Sequence, residues 1–235
     1  MISVKTDMIN TILVPQGAEY QAVCRGLSRV TGFQLQVIAV PLGMKPLYQF
    51  LEKNCQHLNQ PNQRVLLMGL CGSLNQHYNV GDIVIYEDCV YQGNLLECDR
   101  NLTESIHQQL GDKVSFVKGL TSDRVISLAA EKRNLHQQFS ADVVDMEGFA
   151  TLEFFQQQGV SVVMLRVVSD DSLHDIPDLT SVITADGSLQ PLPLVWKLIS
   201  QPLAATRLIR GSLQGLKVLE RVAYCLKTTS YRTHI

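Results

Sequence analysis

The chain has 235 residues, of which 46% are hydrophobic, and a formal net charge of −2. This composition is sufficient for one domain spanning residues 1–235, and the lack of a basic excess excludes nucleic acid as a main partner. The six cysteines show no Cys-x-x-Cys spacing, so we expect reduced thiols and no metal. Residues 1–10 hold no long apolar core, and no segment approaches ~20 uninterrupted apolar residues. We therefore expect no signal peptide, no membrane span and a cytoplasmic location.

Strand and helix patterns alternate along the chain. The predicted strands are residues 11–14, 35–40, 64–68, 82–90, 114–120, 142–145 and 160–169. The predicted helices are residues 18–30, 46–57, 103–110, 129–139, 146–158 and 192–199. Alternation of this kind favours a three-layer α/β fold, in which a mostly parallel central sheet carries helices on both faces.

The first chemical signal is the segment 68–75, Met-Gly-Leu-Cys-Gly-Ser-Leu-Asn, which we expect to form a loop after the strand 64–68. Paired glycines there let the backbone pass close to a ligand and expose amide donors, although most such pairs are tight turns. A dinucleotide fingerprint or a P-loop is excluded because the third glycine and a Gly-Lys-Ser/Thr sequence are missing. Cys71 and Gly72 become candidate substrate-binding residues, with a small buried residue as the simpler interpretation of Cys71.

The segment 143–150 places the pair Met146-Glu147 where an apolar strand gives way to a helix. A carboxylate at such a point can accept hydrogen bonds from both hydroxyls of a vicinal diol, and charge-assisted bonds are the stronger kind. Glu147 is therefore a candidate for binding a ribose. The alternative is that an acidic residue in the first turn of a helix complements the helix dipole.

The strand predicted at 160–169 is almost continuously apolar and β-branched, as in a strand buried on both faces of a parallel sheet. It ends in Ser169-Asp170-Asp171-Ser172. Ligands of open α/β sheets bind outside the carboxyl ends of the strands, so Asp170 is a candidate general acid. The alternative is that both aspartates start a loop and bind their own backbone.

In this order, the three segments resemble the nucleoside phosphorylase and nucleosidase family, whose members cleave the bond between a base and ribose. The blocks Gly-x-x-Gly with Val-Gly-Asp-Ile at 80–83, Asp-Met-Glu-Gly, and Arg-x-Val-Ser-Asp span most of the first 175 residues. The resemblance implies a phosphorylase/hydrolase-like fold and a small-molecule nucleoside substrate. It also implies that Glu147 binds the ribose 2′- and 3′-hydroxyls, that Met146 and Ser169 line the substrate site, and that Asp170 protonates the purine, a step that typically contributes ~10²–10⁴-fold.

The turn after the first strand, residues 14–19, bears on the nucleophile. Phosphorylases of this family place glycines and an arginine there to hold phosphate, whereas nucleosidases place a glutamate that helps position water. This chain has Glu19, and the next arginine is Arg25. A carboxylate repels a phosphate dianion, which favours hydrolysis with Glu19 as a catalytic residue. Arg166 is either a phosphate ligand or the structural partner of a carboxylate, so inorganic phosphate stays open as a co-substrate and no other cofactor is expected.

The base pocket departs from the family pattern. Members with a Ser-Gly-Asp-x-Phe segment stack the ring on the purine, but Val125 stands where the ring would fall. The segments 122–125, 173–177 and 184–187 resemble the hopanoid-associated phosphorylase branch, whose substrate is taken to be an adenosyl hopane. That resemblance implies a bulky lipid as the 5′ substituent. The branch also implies phosphate, which conflicts with Glu19, and both alternatives stay open.

The C-terminal segment 190–227 is amphipathic. From residue 202 onward it combines five basic residues with apolar residues at helical spacing: Leu203, Leu208, Ile209, Leu213, Leu216, Leu219, Val222 and Leu226. A basic amphipathic helix can lie in a membrane interface or line an apolar route to the site. The favoured alternative is packing on the domain or on a second subunit. We therefore expect a homo-oligomer, with a dimer favoured, and peripheral membrane contact as the alternative.

Three functions are compatible with these residues. The first is cleavage of the N-glycosidic bond of a 5′-modified adenosine, with an adenosyl hopane-like nucleoside ahead of other substrates. The second is a methylthioadenosine/adenosylhomocysteine nucleosidase or a futalosine hydrolase-like nucleosidase. The third is a non-catalytic nucleoside-binding protein, which the aliphatic Val125 suggests and the joint presence of Glu19, Glu147 and Asp170 disfavours.

Overall fold

The computed structural model describes residues 9–28, 35–58, 60, 63–184, 186–188 and 190–232. Its strands are β1 Thr11–Pro15, β2 Gln36–Val40, β3 Arg64–Ser73, β4 Ile83–Tyr91, β5 Asn94–Glu97, β6 Val114–Thr121, β7 Val143–Asp145 and β8 Ser161–Asp170. Its helices are α1 Ala18–Ser28, α2 Met44–Asn54, α3 Arg100–Leu110, α4 Ala129–Phe139, α5 Gly148–Gln156, α6 Pro191–Ser200 and α7 Pro202–Arg232. Short 3₁₀ turns lie at Gln56–Leu58 and Thr180–Val182. The end of the helix predicted at 18–30 and Ala185 of the segment 184–187 lie outside the described residues.

The strands form one central sheet in the order β2-β1-β3-β7-β6-β4-β5, and β8 pairs with both β3 and β4. Among the described strands, β1–β2, β1–β3, β3–β8, β4–β6 and β6–β7 pair in parallel. The pairs β3–β7, β4–β5 and β4–β8 are antiparallel. The sheet is therefore mixed with a parallel majority, and the predicted α/β class is confirmed.

Alternating side chains of the central strands divide the core between the two faces of the sheet. Leu13 and Leu67 face one side, where α2 and α5 contribute Leu47, Leu51, Leu152 and Phe155. Ile12 and Leu66 face the other side, where α1, α3 and α7 contribute Val23, Leu102, Ile106, Leu219 and Val222. Burial of each such side chain stabilises the fold by about 1.5–3 kcal/mol. The predicted three layers are confirmed, because both faces of the sheet are covered by helices.

The two halves of helix α7 pack against different parts of the domain. Its C-terminal half packs into the core through Leu219, Val222, Ala223 and Leu226. Gly26 of α1 lies against the carbonyl of Glu220, where a Cβ would collide, so this contact requires glycine. Gly211 lies equally close to the carbonyl of Ser169 and brings the N-terminal half to the end of β8. The second half of α7 therefore packs on the domain, which is one of the alternatives that the sequence left open for the C-terminal segment.

Two sequence predictions are wrong in detail. The Gly-x-x-Gly segment is not a loop, because β3 continues to Ser73 and pairs with β7 and β8. The strand β5 was not predicted, since Asn94–Glu97 is short and mostly exposed. It is held as a hairpin by Gln92 and Gly93, which both have positive φ, 49° and 83°.

No helix in the described ranges is at once long enough and apolar enough to cross a bilayer.

Candidate active site

Acidic side chains from three parts of the chain meet at one end of a cavity of about 440 Å³. Glu19 follows β1 at the start of α1, Glu147 follows β7, and Asp170 ends β8. The C-terminal ends of the parallel strands β1 and β8 lie at one edge of the sheet, which is where ligands bind in open α/β folds, and β7 runs antiparallel to them beside the C-terminal end of β3. The structure thus brings together three acidic residues that the sequence places more than 20 residues apart.

Glu147 lies at the N-cap position of α5, not in the first turn that the sequence predicted, since α5 begins at Gly148. Its carboxylate caps no amide of that helix. One oxygen, Oε1, accepts a hydrogen bond from the amide of Gly43 at 3.0 Å, and Oε2 lies 3.3 Å from Nη2 of Arg166. Burial raises the pKa of Glu147, and the guanidinium of Arg166 opposes that rise. The helix-dipole alternative therefore does not explain where this side chain points.

Arg166 is completely buried in the middle of β8. Its Nη2 donates to Asp145 at 2.7 Å and to Glu147 at 3.3 Å. Burial lowers the pKa of Arg166, but the carboxylates of Asp145 and Glu147 outweigh this and keep it charged. Nε and Nη1 have no hydrogen-bond partner among the described residues. The structure thus pairs Arg166 with two carboxylates and leaves one edge of its guanidinium unpaired.

Glu19 is partly buried, and its Oε2 accepts a hydrogen bond from the amide of Leu70 at 2.7 Å. A Cβ at Gly69 would collide with both Oε2 of Glu19 and Nη1 of Arg166, so the glycine allows these two groups to lie close together. Burial raises the pKa of Glu19 to about 7, with Arg166 acting in the opposite direction. A carboxyl that titrates near neutrality is suited to act as a base.

Asp170 is held by two groups. Its Oδ1 accepts from Nζ of Lys132, which is completely buried on α4, and its Oδ2 lies 3.0 Å from the hydroxyl of Ser169. Lys132 also donates to the carbonyl of Asp171 at 2.8 Å. A Cβ at Gly72 would lie 2.9 Å from Oδ1 of Asp170, so glycine leaves room for this carboxylate.

Asp171 has a different role from its neighbour. Its Oδ1 accepts hydrogen bonds from the amides of Leu173 at 2.9 Å and His174 at 2.8 Å. These bonds and the ring of His174 lower the pKa of Asp171 although burial opposes them. The loop-starting alternative therefore applies to Asp171, whereas Asp170 points towards the cavity.

The remaining candidate residues line the same cavity. Met146, Cys71, Gly72, Val125 and Ser169 all contribute to its wall. The Ser169 hydroxyl also lies 3.1 Å from the carbonyl of Cys71, which joins the ends of β8 and β3. Burial raises the pKa of the Cys71 thiol well above its ordinary value, so this cysteine is an uncharged wall residue.

The other end of the cavity is apolar. Its wall consists of aliphatic side chains from the loops after β2 and β8 and from α6 and α7: Leu42, Ile176, Leu179, Ile183, Leu194, Leu198, Leu208, Ile209 and Leu213. Sequence analysis anticipated an apolar route from α7 but did not identify the contribution of α6 or of residues 176–183. It also missed Lys132, whose signal would have been a single lysine on the core-facing side of a predicted amphipathic helix.

Among the described residues, no group of three or more His, Cys, Asp or Glu side chains is arranged to hold a metal ion. All six cysteines are free thiols.

The chain was compared with known protein families and with solved structures. The model of the phosphorylase superfamily matches residues 58–185, more than half of the chain. No curated protein matches the chain. The fold is similar to futalosine hydrolase of Helicobacter pylori, with 14% identity, a TM-score of 0.67 and coverage of 93% of this chain and 96% of that one.

Two further solved structures share the fold. A putative 5′-methylthioadenosine/S-adenosylhomocysteine nucleosidase from Borrelia burgdorferi, bound to adenine, has 12% identity and a TM-score of 0.70, with 94% and 99% of the two chains covered. S-adenosylhomocysteine nucleosidase from Streptococcus pyogenes, in complex with 5-methylthiotubericidin, has 14% identity and a TM-score of 0.65, with 91% and 95% covered. The chain belongs to the phosphorylase superfamily, and it is an enzyme of the nucleoside phosphorylase and nucleosidase type that its three sequence motifs predict.

Proposed function

We propose that the enzyme cleaves the N-glycosidic bond of a 5′-modified adenosine whose 5′ group is large and apolar, as in an adenosyl hopane-like lipid nucleoside. The observation that carries this proposal is the division of one cavity into two ends. Carboxylates suited to ribose and base lie at one end, and nine aliphatic side chains form the other. A nucleoside with an apolar 5′ group also has a polar part, its base and ribose, and an apolar part, so each part would meet the matching end of the cavity.

Glu147 is suited to bind the sugar. Its carboxylate is buried and anchored by Arg166 and by the amide of Gly43, so its remaining acceptor positions are fixed in direction. The 2′- and 3′-hydroxyls of ribose would donate to them, with Met146 packed beside the ring.

Asp170 is suited to protonate the base. A purine leaves poorly as an anion, so a proton delivered to the base as the bond breaks lets it leave neutral, while positive charge develops on the sugar. Ser169 and Lys132 hold the two oxygens of Asp170 in position for this transfer, and the proton that Asp170 delivers would come from the ammonium of Lys132, which donates to its Oδ1. Val125 adds an aliphatic surface to the base site in place of an aromatic ring.

We favour water over phosphate as the nucleophile. Glu19 accepts a proton near neutral pH and could deprotonate a water molecule that attacks the anomeric carbon. Arg166, the phosphate candidate from the sequence, already pairs with Asp145 and Glu147 and has no exposed surface. A phosphate dianion would meet three carboxylates at close range.

The experiment is incubation of the purified enzyme with adenosyl hopane, methylthioadenosine, adenosylhomocysteine and futalosine, each with and without phosphate. Free base is quantified together with the free sugar and the sugar 1-phosphate. We expect the highest kcat/KM for the substrate with the large apolar 5′ group, and free sugar as the product in both buffers. Release of sugar 1-phosphate only when phosphate is present would show phosphorolysis instead.

A variant in the apolar wall tests recognition of the 5′ group separately from cleavage of the N-glycosidic bond. Leu194→Gln places a polar group in the apolar wall and should raise KM for the apolar substrate with little effect on methylthioadenosine. No cleavage of any adenosine derivative, by a folded enzyme, would contradict the proposed function as a whole.

A further inference from the structure

Helix α6 is apolar on both sides. Leu194 and Leu198 line the cavity, whereas Leu192, Val195, Trp196 and Ile199 are exposed by 82, 51, 73 and 68%. No residue of this helix is fully buried. A helix that is hydrophobic all round is stable only where apolar material covers both of its sides. Within the described residues, the outer side of α6 has no such cover.

The exposed apolar surface continues onto the first turns of α7. Leu203, Ile209 and Leu213 are exposed there by 77, 45 and 54%. Ile209 and Leu213 also line the cavity, so this surface and the cavity meet at a common mouth. We use the name "apolar face" for Leu192, Val195, Trp196, Ile199, Leu203, Ile209 and Leu213.

The charge of this region is opposite to that of the chain. Residues 187–219 contain Lys197, Arg207, Arg210 and Lys217 and no acidic residue, whereas the whole chain has a net charge of −2. Arg207 and Arg210 are exposed and form no ion pair with any described residue. Cations beside an exposed apolar helix, together with one tryptophan, are the composition of a helix that lies on an anionic membrane.

We propose that the apolar face binds the surface of an anionic membrane, so that the mouth of the cavity opens towards lipid and a lipid-linked nucleoside reaches the site without crossing water. The identity of the substrate in this inference rests on the function proposed above. The membrane contact itself rests on the apolar face and its flanking arginines.

A second copy of the chain fits this face less well. A two-fold symmetric contact places the same patch on both subunits. It would bring two sets of four cations together, and residues 187–219 contain no carboxylate to compensate them. An anionic lipid surface supplies the missing negative charge and apolar cover at the same time.

The experiment is flotation of the full-length chain with vesicles of phosphatidylcholine, with and without phosphatidylglycerol. We expect binding to the anionic vesicles that weakens with added salt, because charges are screened beyond ~10 Å at 0.1 M. The double variant Arg207→Gln/Arg210→Gln should bind about 25-fold more weakly, at about fivefold for each cation near the surface. Trp196→Ser/Ile199→Ser should abolish flotation.

Matched controls lie elsewhere on the surface. Lys53→Gln/Lys113→Gln removes two exposed cations, and Leu95→Ser removes an exposed apolar side chain of β5. Both should float like the unmodified chain. All variants should release base from methylthioadenosine at the unmodified rate, since none of these residues lines the cavity.

Three results would overturn the membrane contact. The first is no flotation of the unmodified chain, and the second is equal weakening by the variants and their controls. The third is a dimer in sedimentation that Trp196→Ser/Ile199→Ser dissociates, which would assign the face to a second copy. Flotation without cleavage of any nucleoside would leave the membrane contact standing and reject the proposed function.

Discussion

Lys132 and Asp170 form a direct ion pair across the site, although 38 residues separate them in the chain. The lysine is completely buried, and its second bond, to the carbonyl of Asp171, holds the backbone at the end of β8. A buried ammonium needs a charged partner, and the carboxylate of Asp170 is the group that meets this need. The ion pair therefore couples the orientation of Asp170 to the packing of α4.

Lys132→Met keeps the volume of the side chain and removes its charge. We expect kcat to fall about tenfold or more with a smaller change in KM, because Asp170 loses the contact that orients it and not a contact to the substrate. Steady-state kinetics on methylthioadenosine and thermal unfolding together provide the measurement. Lys118→Met, which breaks the partly exposed pair of Lys118 with Asp88, is the control and should leave kcat unchanged. An unaltered kcat in a folded Lys132→Met enzyme would contradict the positioning role.

Asp170→Asn and Asp171→Asn test which aspartate protonates the base. We expect the first to lower kcat by about 10²–10⁴-fold with a modest change in KM. The second should keep kcat and lower the melting temperature, since the side chain of Asp171 binds the amides of Leu173 and His174 and the ring of His174 in its own loop. The opposite pattern would show that Asp171 is the proton donor.

Glu147→Gln keeps the size of the side chain and removes its negative charge. The loss of charge-assisted bonds to the sugar should raise KM and lower kcat/KM for ribonucleosides by about tenfold or more. A 2′-deoxynucleoside should lose less, because it lacks one of the two donors. Glu153→Gln on the same helix is the control. Equal loss on the ribo- and deoxyribonucleoside would mean that Glu147 acts only through Arg166.

The pKa of about 7 at Glu19 predicts two pH dependences. If Glu19 acts as a base, kcat/KM should rise with pH and level off above about pH 7. Stability should change in the opposite direction. The pKa of this group is higher in the folded state than its ordinary value of 4.5, so between these values the unfolded chain loses the proton first, and folding becomes less favourable as pH rises.

Glu19→Gln removes this titration. The variant should match the unmodified protein in stability near pH 4.5 and exceed it above pH 7 by at most about 3 kcal/mol. Chemical denaturation at both pH values measures the difference. A constant difference across this range would show that Glu19 is not protonated near neutrality in the folded protein.

The sequence predicts the fold well because each element has a local signal. The boundaries of α4, 129–139, are confirmed, and the continuous apolar run of β8 identifies a strand buried on both faces. The paired glycines were misinterpreted since their role depends on distant groups. Gly69 makes room for Glu19 and Arg166, and Gly72 makes room for Asp170, while the backbone stays in a strand.

The placement of Glu147 and Asp170 at the cavity was predictable, because their positions follow from the ends of two strands. Lys132 and the wall from α6 were not predictable in this way. A lysine on an amphipathic helix is normally exposed, so the position of Lys132 on the core-facing side of α4 was a weak signal, and the tertiary fold shows that this lysine is buried. Similarly, the sequence of α6 indicates only an apolar helix, and the structure is needed to show that Leu194 and Leu198 line the cavity.

The carboxylate of Glu147 is buried, and Arg166 and the amide of Gly43 fix it in place before any ligand arrives. In the proposed reaction the sugar is neutral when it binds and gains positive charge only as the bond to the base breaks. A fixed carboxylate beside the sugar would therefore stabilise the transition state more than the bound substrate, and the free energy spent on burying that carboxylate during folding would become a lower barrier for bond cleavage.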